Sequence, residues 1–295
     1  MNGILNVYKE SGWTSNDVVQ KLRGILKTKK VGHGGTLDPA VTGVLPIAVG
    51  KATRLLEYME TSGKVYEGEI TLGFSTETED AQGDIVKIKK IEKRISEEEV
   101  DLFMSYFLGK ILQVPPMYSA VKVNGRKLYE YARAGQEVER PVREVEIKEF
   151  SRTSELKYEG GLLKFNFRVA CSKGTYIRTL AVDLAKSLGY PGHMSQLTRT
   201  MANGLLIKDS KTLKEIEDFR DKEQLESLFL PLKFAVEEME TVHLTKEQFE
   251  DIRVGRRISN DKSIKNGLVA IFYDQALIGI CSVEKEELKA KKILV

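Results

Sequence analysis

Three glycines, a histidine and an aspartate that directly precedes proline are packed into one octapeptide, Gly32-His33-Gly34-Gly35-Thr36-Leu37-Asp38-Pro39. Glycine lets the backbone take positive φ or approach a ligand closely. Pro39 keeps Asp38 out of helical geometry and ends the loop. The expected product is a tight loop that presents one acid at a fixed spot, the arrangement that carboxylate nucleophilic catalysis needs. An Asp-Pro pair also caps turns with no chemistry attached, so the loop alone leaves both readings open. It is not a phosphate-binding P-loop, because Gly34-Gly35-Thr36 is not followed by Gly-Lys-Ser/Thr.

A second cluster is Cys171-Ser172-Lys173-Gly174-Thr175-Tyr176-Ile177-Arg178. A strand is expected to end near Cys171, Gly174 to turn the chain, and a helix to follow with Arg178 in its first turn. A cation there opposes the helix dipole, so Arg178 needs another partner. Asp38 is one candidate, and a bidentate guanidinium on that carboxylate would lower its pKa and keep it ionised. Tyr66 falls on a strand face, where it is either core or a ring that stacks on a base. His33 is either structural or a base or phosphate contact, and His193 and His243 have no metal-ligand spacing.

The elements that must hold these groups follow from pattern. A strand is expected over residues 4–8, then a helix capped by Thr14-x-x-Asp17 with Val18, Val19, Leu22, Ile25 and Leu26 on one face. That helix runs into Lys27, Lys29 and Lys30. Strands are expected over 44–49, 64–74, 85–91, 144–150 and 162–170, and helices over 52–59, from Ser96 onward and over 176–188. Tandem prolines exclude helix from 113–120, and Asn124-Gly125 predicts a tight hairpin. Residues 211–240 read as charged and mostly helical, and 241–295 as a separate β-rich module. The stretch 122–143 interleaves Lys122, Arg126, Lys127, Arg133, Arg140 and Arg143 with Tyr129 and Tyr131, which suits RNA or any exposed hairpin.

Bulk properties narrow the class. The 295 residues are 41% hydrophobic and 30% charged with net charge +3, the profile of a globular chain whose overall charge does not announce nucleic acid. No run approaches the roughly 20 apolar residues of a membrane span. Residues 1–6 lack a signal peptide's basic start and apolar core, and two cysteines make no disulfide framework, so a cytoplasmic location is expected.

Taken together, the segments closely resemble the bacterial tRNA pseudouridine-55 synthase family, the TruB type. The octapeptide resembles that family's catalytic loop, and Lys64-Val65-Tyr66 with Leu72-Gly73 its second motif. Further matches are Thr76-x-Thr78-x-Asp80-x-x-Gly83, Pro115-Pro116-Met117-Tyr118-Ser119-Ala120-Val121-Lys122-x-x-Gly125, the Cys171 to Arg178 cluster and Gly192-His193-x-x-x-Leu197-x-Arg199-Thr200. The pair Lys9-Glu10 departs from the family's Lys-Pro. The resemblance implies that Asp38 is the catalytic aspartate and that Arg178 pairs with it. It implies that His33, Tyr66, Tyr176 and Leu197 hold the target nucleotide, with Tyr66 also counted as catalytic. Lys29, Lys30, Lys122, Arg126, Lys127 and Arg133 are then expected on the RNA backbone. The implied fold is α+β, a central mixed, mainly antiparallel sheet flanked by helices. A catalytic domain over 1–240, with an RNA-gripping insertion at about 122–143, precedes a PUA-like RNA-binding module over 241–295. The implied activity is isomerisation of uridine 55 in the tRNA T-arm by a monomer. No cofactor, metal, membrane or guide RNA is expected; the basic insertion resembles the stand-alone bacterial form. A non-catalytic RNA binder is the other class of function, and Asp38 discriminates, because a binder gains nothing from an acid among phosphates.

Overall fold

The computed structural model describes residues 1–59, 63–260, 264 and 266–295. Thr14 and Asp17 cap each other reciprocally and start helix α1 (Ser15–Ile25), whose Val18, Val19, Leu22 and Ile25 are buried. The other helices are α2 (Leu56–Met59), α3 (Glu97–Ser105), α4 (Leu128–Arg133), α5 (Ile177–Ser187), α6 (Leu213–Asp221) and α7 (Lys246–Arg253). The strands up to residue 206 are β1 (Gly3–Lys9), β2 (Val31–His33), β3 (Thr42–Val49), β4 (Lys64–Leu72), β5 (Phe74–Thr76), β6 (Ile85–Ile88), β7 (Gly109–Gln113), β8 (Lys122–Val123), β9 (Arg126–Lys127), β10 (Arg143–Arg152), β11 (Lys157–Glu159), β12 (Leu162–Cys171), β13 (Gly192–Ala202) and β14 (Leu205–Leu206). Beyond them lie β15 (Glu240–His243), β16 (Ile258–Ser259), β17 (Leu268–Tyr273), β18 (Ala276–Glu284) and β19 (Glu287–Ile293).

Ten strands form one mixed sheet whose main path is β1-β3-β13-β4-β12-β10-β7. Within it β13 and β3 run parallel, and the other described pairings are antiparallel. The parallel pair is unusually close. Gly43 has φ +104, and a Cβ there would stand 2.2 Å from the Arg199 carbonyl oxygen, so only glycine fits. One face of the sheet is covered by α1, α3, α5 and α6, whose Leu22, Met104, Leu184 and Ile216 join Ile47, Ile70 and Phe167 in one apolar core. This is the α+β architecture that the sequence implies.

The second sheet runs β15-β17-β18-β19-β16. It has its own core around Ile252, Ile271 and Leu288. Its Ala270, Leu277, Ile280 and Leu294 pack with Ile4, Val44 and Ala48 from the opposite face of the large sheet. The β-rich C-terminal part expected from residue 241 is therefore present but shares apolar contacts with the rest. Among the described residues no helix is long and apolar enough to cross a membrane.

Four expectations change. Of the helix expected over 52–59, the first part lies in a 3-10 turn (Gly50–Leu55) and only Leu56–Met59 is α-helical. The 64–74 strand breaks after Leu72, and β5 turns off to pair with β6. Within 211–240 only α6 is α-helical, and short 3-10 turns at Leu225–Leu228 and Leu232–Val236 replace the rest, interrupted by Pro231, which donates no backbone hydrogen bond. The central strand β13 carries no strand signal in the sequence. Its sequence, Gly-His-Met-Ser-Gln-Leu-Thr-Arg-Thr-Met-Ala, lacks apolar alternation because buried His193 and Arg199 find polar partners inside.

Candidate active site

The octapeptide loop is held on both sides of Asp38. Buried Ser15, the first residue of α1, accepts from the Leu37 N–H at 2.8 Å and donates to the Leu37 carbonyl at 3.2 Å. On the other side, Pro39 O accepts from the Gly12 N–H at 2.9 Å and from the Lys9 ammonium at 3.0 Å. Lys9 is fully buried and also donates to the carbonyls of Trp13 at 2.6 Å and Glu10 at 3.1 Å. Burial lowers its pKa from 10.5 to about 8, against the opposing pull of Asp38. Three carbonyl acceptors thus hold an ammonium against the loop. Farther up, the Gly34 N–H donates to Pro46 O at 2.8 Å.

Arg178 meets Asp38 from α5. Its Nε lies 3.0 Å from Asp38 Oδ2, and its side chain is 6% exposed against 40% for the aspartate. The pairing that sequence reasoning left as one option is present, but it is not bidentate. Nη1 donates to Thr78 O and Nη2 to Tyr118 O, both at 2.9 Å, so the fork is occupied by main-chain carbonyls. Asp80 Oδ2 stands 3.9 Å from Nη1. Asp80 is itself fixed, since Thr78 Oγ1 donates to its Oδ1 at 2.6 Å and the Gln82 N–H at 2.9 Å. Arg178 lowers the Asp38 pKa as expected, but burial outweighs it. Burial pushes the Asp38 carboxyl above its ordinary value, and Arg178 opposes this without reversing it; Asp80 raises it further and Lys9 lowers it.

Asp38 and Arg178 line a cleft of about 240 Å³, with Tyr66, Tyr176, Ile177 and Leu197 as its aromatic and aliphatic walls. Charge on one side and flat apolar surface on the other suit a polar ring that must be stacked and worked on at one edge. Tyr66 sits on β4 and is 7% exposed, and burial raises its phenol pKa. Tyr176 caps α5, and Gln113 of β7 fixes its backbone with a paired contact, accepting from the Tyr176 N–H at 3.0 Å and donating to its carbonyl at 3.2 Å. A larger cavity of about 410 Å³ near Asn6 and Phe234 is mainly apolar and has no acid–guanidinium pair.

The structure therefore brings together Asp38, Arg178, Tyr66, Tyr176 and Leu197. His33 is not among the residues lining this cleft; it lies on β2 opposite Ile47, because the backbone of 31–33 is drawn into the sheet before the loop turns. Lys29, Lys30, Lys122, Arg126 and Arg133 are exposed and Lys127 is half-buried. Several are engaged within the 122–143 segment: Arg126 donates to Gln136 Oε1 at 3.1 Å and lies over Tyr131, and Lys127 and Arg133 lie over Tyr129. Ser119 and Ala120, just before the β8–β9 hairpin, form part of the cleft wall, so that hairpin rises from its rim. Asn124 and Gly125 both have positive φ, as the predicted tight turn demands. Sequence reasoning missed Ser15, Lys9 and Gln113 as loop and helix anchors. Nothing local marks Ser15 or Gln113 for these roles. Among the described residues no group of three or more His, Cys, Asp or Glu could hold a metal ion.

Comparison with known proteins converges on one family. Residues 23–177 match the profile of the TruB family pseudouridylate synthase N-terminal domain, and residues 178–237 that of the tRNA pseudouridylate synthase B C-terminal domain. The chain is 64% identical over 263 residues to tRNA pseudouridine synthase B of Lactococcus lactis subsp. lactis, covering 88% of this chain and 80% of that one. It is 55% identical to tRNA pseudouridine synthase B of Streptococcus gordonii over the full length of both. Among solved structures, the chain resembles one in a Cbf5-Nop10-Gar1 complex with TM-score 0.77 and 28% identity, over 99% of this chain and 85% of that chain. A chain of an H/ACA RNP bound to a substrate RNA containing 2'-deoxyuridine gives TM-score 0.73 and 25% identity, over 99% and 85%.

Proposed function

The chain belongs to the TruB family of pseudouridylate synthases, and from that premise we propose that it isomerises uridine 55 to pseudouridine in the T-loop of tRNA, with Asp38 as the acting carboxylate. The observation that carries this reading is the ion pair between Asp38 and buried Arg178 at the edge of an aromatic-walled cleft. The reaction breaks N1–C1′ and forms C5–C1′. The hydrogen at C5 leaves as a proton and N1 takes one up, so protons and electrons balance with no redox cofactor.

Asp38 serves this exchange as an anion, by attacking C1′, by adding to C6 of the ring, or by assisting proton loss from the sugar to a glycal. In each route Arg178 has the same work: it holds the carboxylate in place and opposes the burial that would protonate it. The target base in a folded T-loop is stacked, and flipping it out costs a few kcal/mol. Tyr66 and Tyr176 offer rings to the extruded base, each such stack being worth roughly 1–3 kcal/mol. Leu197 closes the apolar side. His33, set back on β2, is assigned to the flanking RNA rather than to the flipped base.

The basic groups Lys29, Lys30, Lys122, Arg126, Lys127 and Arg133 supply phosphate contacts around the T-arm, with 122–143 as the gripping insertion of a catalytic domain over 1–240 and 241–295 as a PUA-like RNA-binding module. The enzyme works in the cytoplasm as a monomer without guide RNA; its high identity to full-length proteins named tRNA pseudouridine synthase B favours this over the guide-dependent assemblies that share the fold. The test is incubation of unmodified tRNA transcript with the purified protein alone, followed by mapping of pseudouridine. Conversion at position 55 alone is expected. Conversion only when a guide RNA is added, or at a different uridine, would overturn the reading.

A further inference from the structure

Among the described residues the largest fully buried side chain is a cation, Arg199, for which the reaction scheme above has no use. It stands on β13 directly opposite Tyr66 of β4, so the two side chains leave the same face of the sheet. Its Nε donates to Val44 O at 2.7 Å, and its Nη2 donates to Gly35 O, inside the octapeptide loop, at 3.0 Å. Its Nη1 is buried and makes no hydrogen bond of good geometry among the described residues. Among the described residues no carboxylate forms an ion pair with it at 4.0 Å or less. A buried guanidinium without a counter-ion fills space less favourably than an apolar chain of the same volume. Packing alone does not account for it.

The groups around Arg199 indicate what the charge acts on. Tyr66 faces it from β4, and Cys171 of β12 and Lys9 of β1 lie close enough to feel its charge. Lys64, also from β4, approaches the same Gly35. Burial pushes the Cys171 thiol up to about 11, so it stays neutral. Asp38 is already paired with Arg178. Among the described residues of the cleft, the phenol of Tyr66 is left as the group that the guanidinium can polarise. The backbone agrees: Gly43 brings β3 against Arg199, and Gly35 at φ +112 lets the loop carbonyl reach its side chain.

We propose that Arg199 is a positioning residue for the isomerisation, holding the loop that carries Asp38 and the phenol of Tyr66 in one frame from beneath the cleft and polarising that phenol. The proposal rests on the reading of Tyr66 as part of the reacting site. Burial drives the Tyr66 phenol up, and Arg199 is the largest influence opposing it, which is the direction that polarisation requires.

The experiment follows the Tyr66 phenol by NMR of tyrosine labelled with carbon-13 at Cζ, its signal identified among the 11 tyrosines by its loss in Tyr66→Phe. Wild type, Arg199→Lys and Arg199→Gln are titrated without RNA, and single-turnover rate and Kd are measured on unmodified tRNA transcript. Arg199→Gln is expected to raise the Tyr66 pKa by at least one unit and slow turnover at least tenfold with Kd changed less than twofold. Arg199→Lys should recover part of both. The double variant with Tyr66→Phe should be no slower than the slower single variant. An unmoved Tyr66 titration, or multiplicative rate losses, would overturn the proposal. If Arg199→Gln does not fold, the Arg199 guanidinium resonances of wild type and Tyr66→Phe decide: they move if the two side chains are coupled, and unmoved resonances overturn the coupling. Wild-type turnover by Tyr66→Phe would instead overturn the reading of Tyr66 and the positioning role with it, whatever the titration gives.

Discussion

Replacing Arg178 by Gln removes the cation paired with Asp38 while keeping a polar side chain of similar length. Two opposite charges about 4 Å apart interact by about 4 kcal/mol at an effective dielectric constant near 20. Asp38 is 40% exposed, so solvent screens much of this. About 1–2 pH units, or roughly 1.4–2.7 kcal/mol, is the part that should survive. Burial already raises the Asp38 pKa and Arg178 holds it down, so removing Arg178 moves it further up. The acid limb of single-turnover rate against pH should therefore shift to higher pH by about 1–2 units. The same substitution also frees the tethers to Thr78 O and Tyr118 O, and a misplacement of about 1 Å at a reacting group can lower the rate about a hundredfold. The plateau at high pH isolates this geometric loss, because the carboxylate is ionised there in both proteins. Affinity for tRNA should change little, since the Arg178 side chain is only 6% exposed. The assay is rapid-quench turnover on tRNA transcript from pH 5 to 9 with Kd measured in parallel, the pH range being about that in which such limbs are read. A tenfold weaker Kd with an unmoved acid limb would refute the reasoning and make Arg178 an RNA contact.

Asp80 raises the Asp38 pKa, so Asp80→Asn should move the acid limb to lower pH, opposite to Arg178→Gln, with a smaller loss at the plateau; limbs that move the same way would contradict the electrostatic account. Lys9 loses its proton near pH 8 when folded but holds it to 10.5 when unfolded. Between these values the unfolded chain binds more protons, so the contribution of Lys9 to stability rises with pH; wild type should gain on Lys9→Met by up to roughly 3 kcal/mol across that window in denaturant titrations. Removing residues 241–295 strips Ala270, Leu277, Ile280 and Leu294 from the core shared with Ile4 and Val44. At about 1.5–3 kcal/mol for each large side chain uncovered, the truncated protein should melt well below wild type, and an unchanged Tm would show that the two sheets are independent.

The parts legible in the sequence are those whose signal is local. Thr14 and Asp17 cap α1, Ser96 accepts from Glu99 N, and Asn124-Gly125 turns the hairpin, because each is settled within a few residues of chain. The meeting of Asp38 with Arg178 lies 140 residues apart in sequence and was carried by resemblance, not by any periodicity. What escaped was non-local. Strand β13 hides its buried face behind Arg199 and His193, polar groups whose partners Val44 O and Phe74 O come from other strands. Gln113 looks like any residue before a proline-rich segment until α5 is placed beside it. The bidentate clamp failed for a related reason: the carbonyls of Thr78 and Tyr118, which compete for the guanidinium, have no sequence signature.

The most direct measurement compares wild type with Asp38→Asn on unmodified tRNA transcript. The substitution keeps the side chain's size and removes its charge, so Kd should stay within about threefold of wild type, a change worth less than the 1.4 kcal/mol that marks a tenfold effect. Pseudouridine formation should be undetectable even with enzyme in excess over RNA. Formation at a rate near wild type would contradict the account, because the carboxylate around which the loop, Arg178 and the cleft are built would have no part in the chemistry.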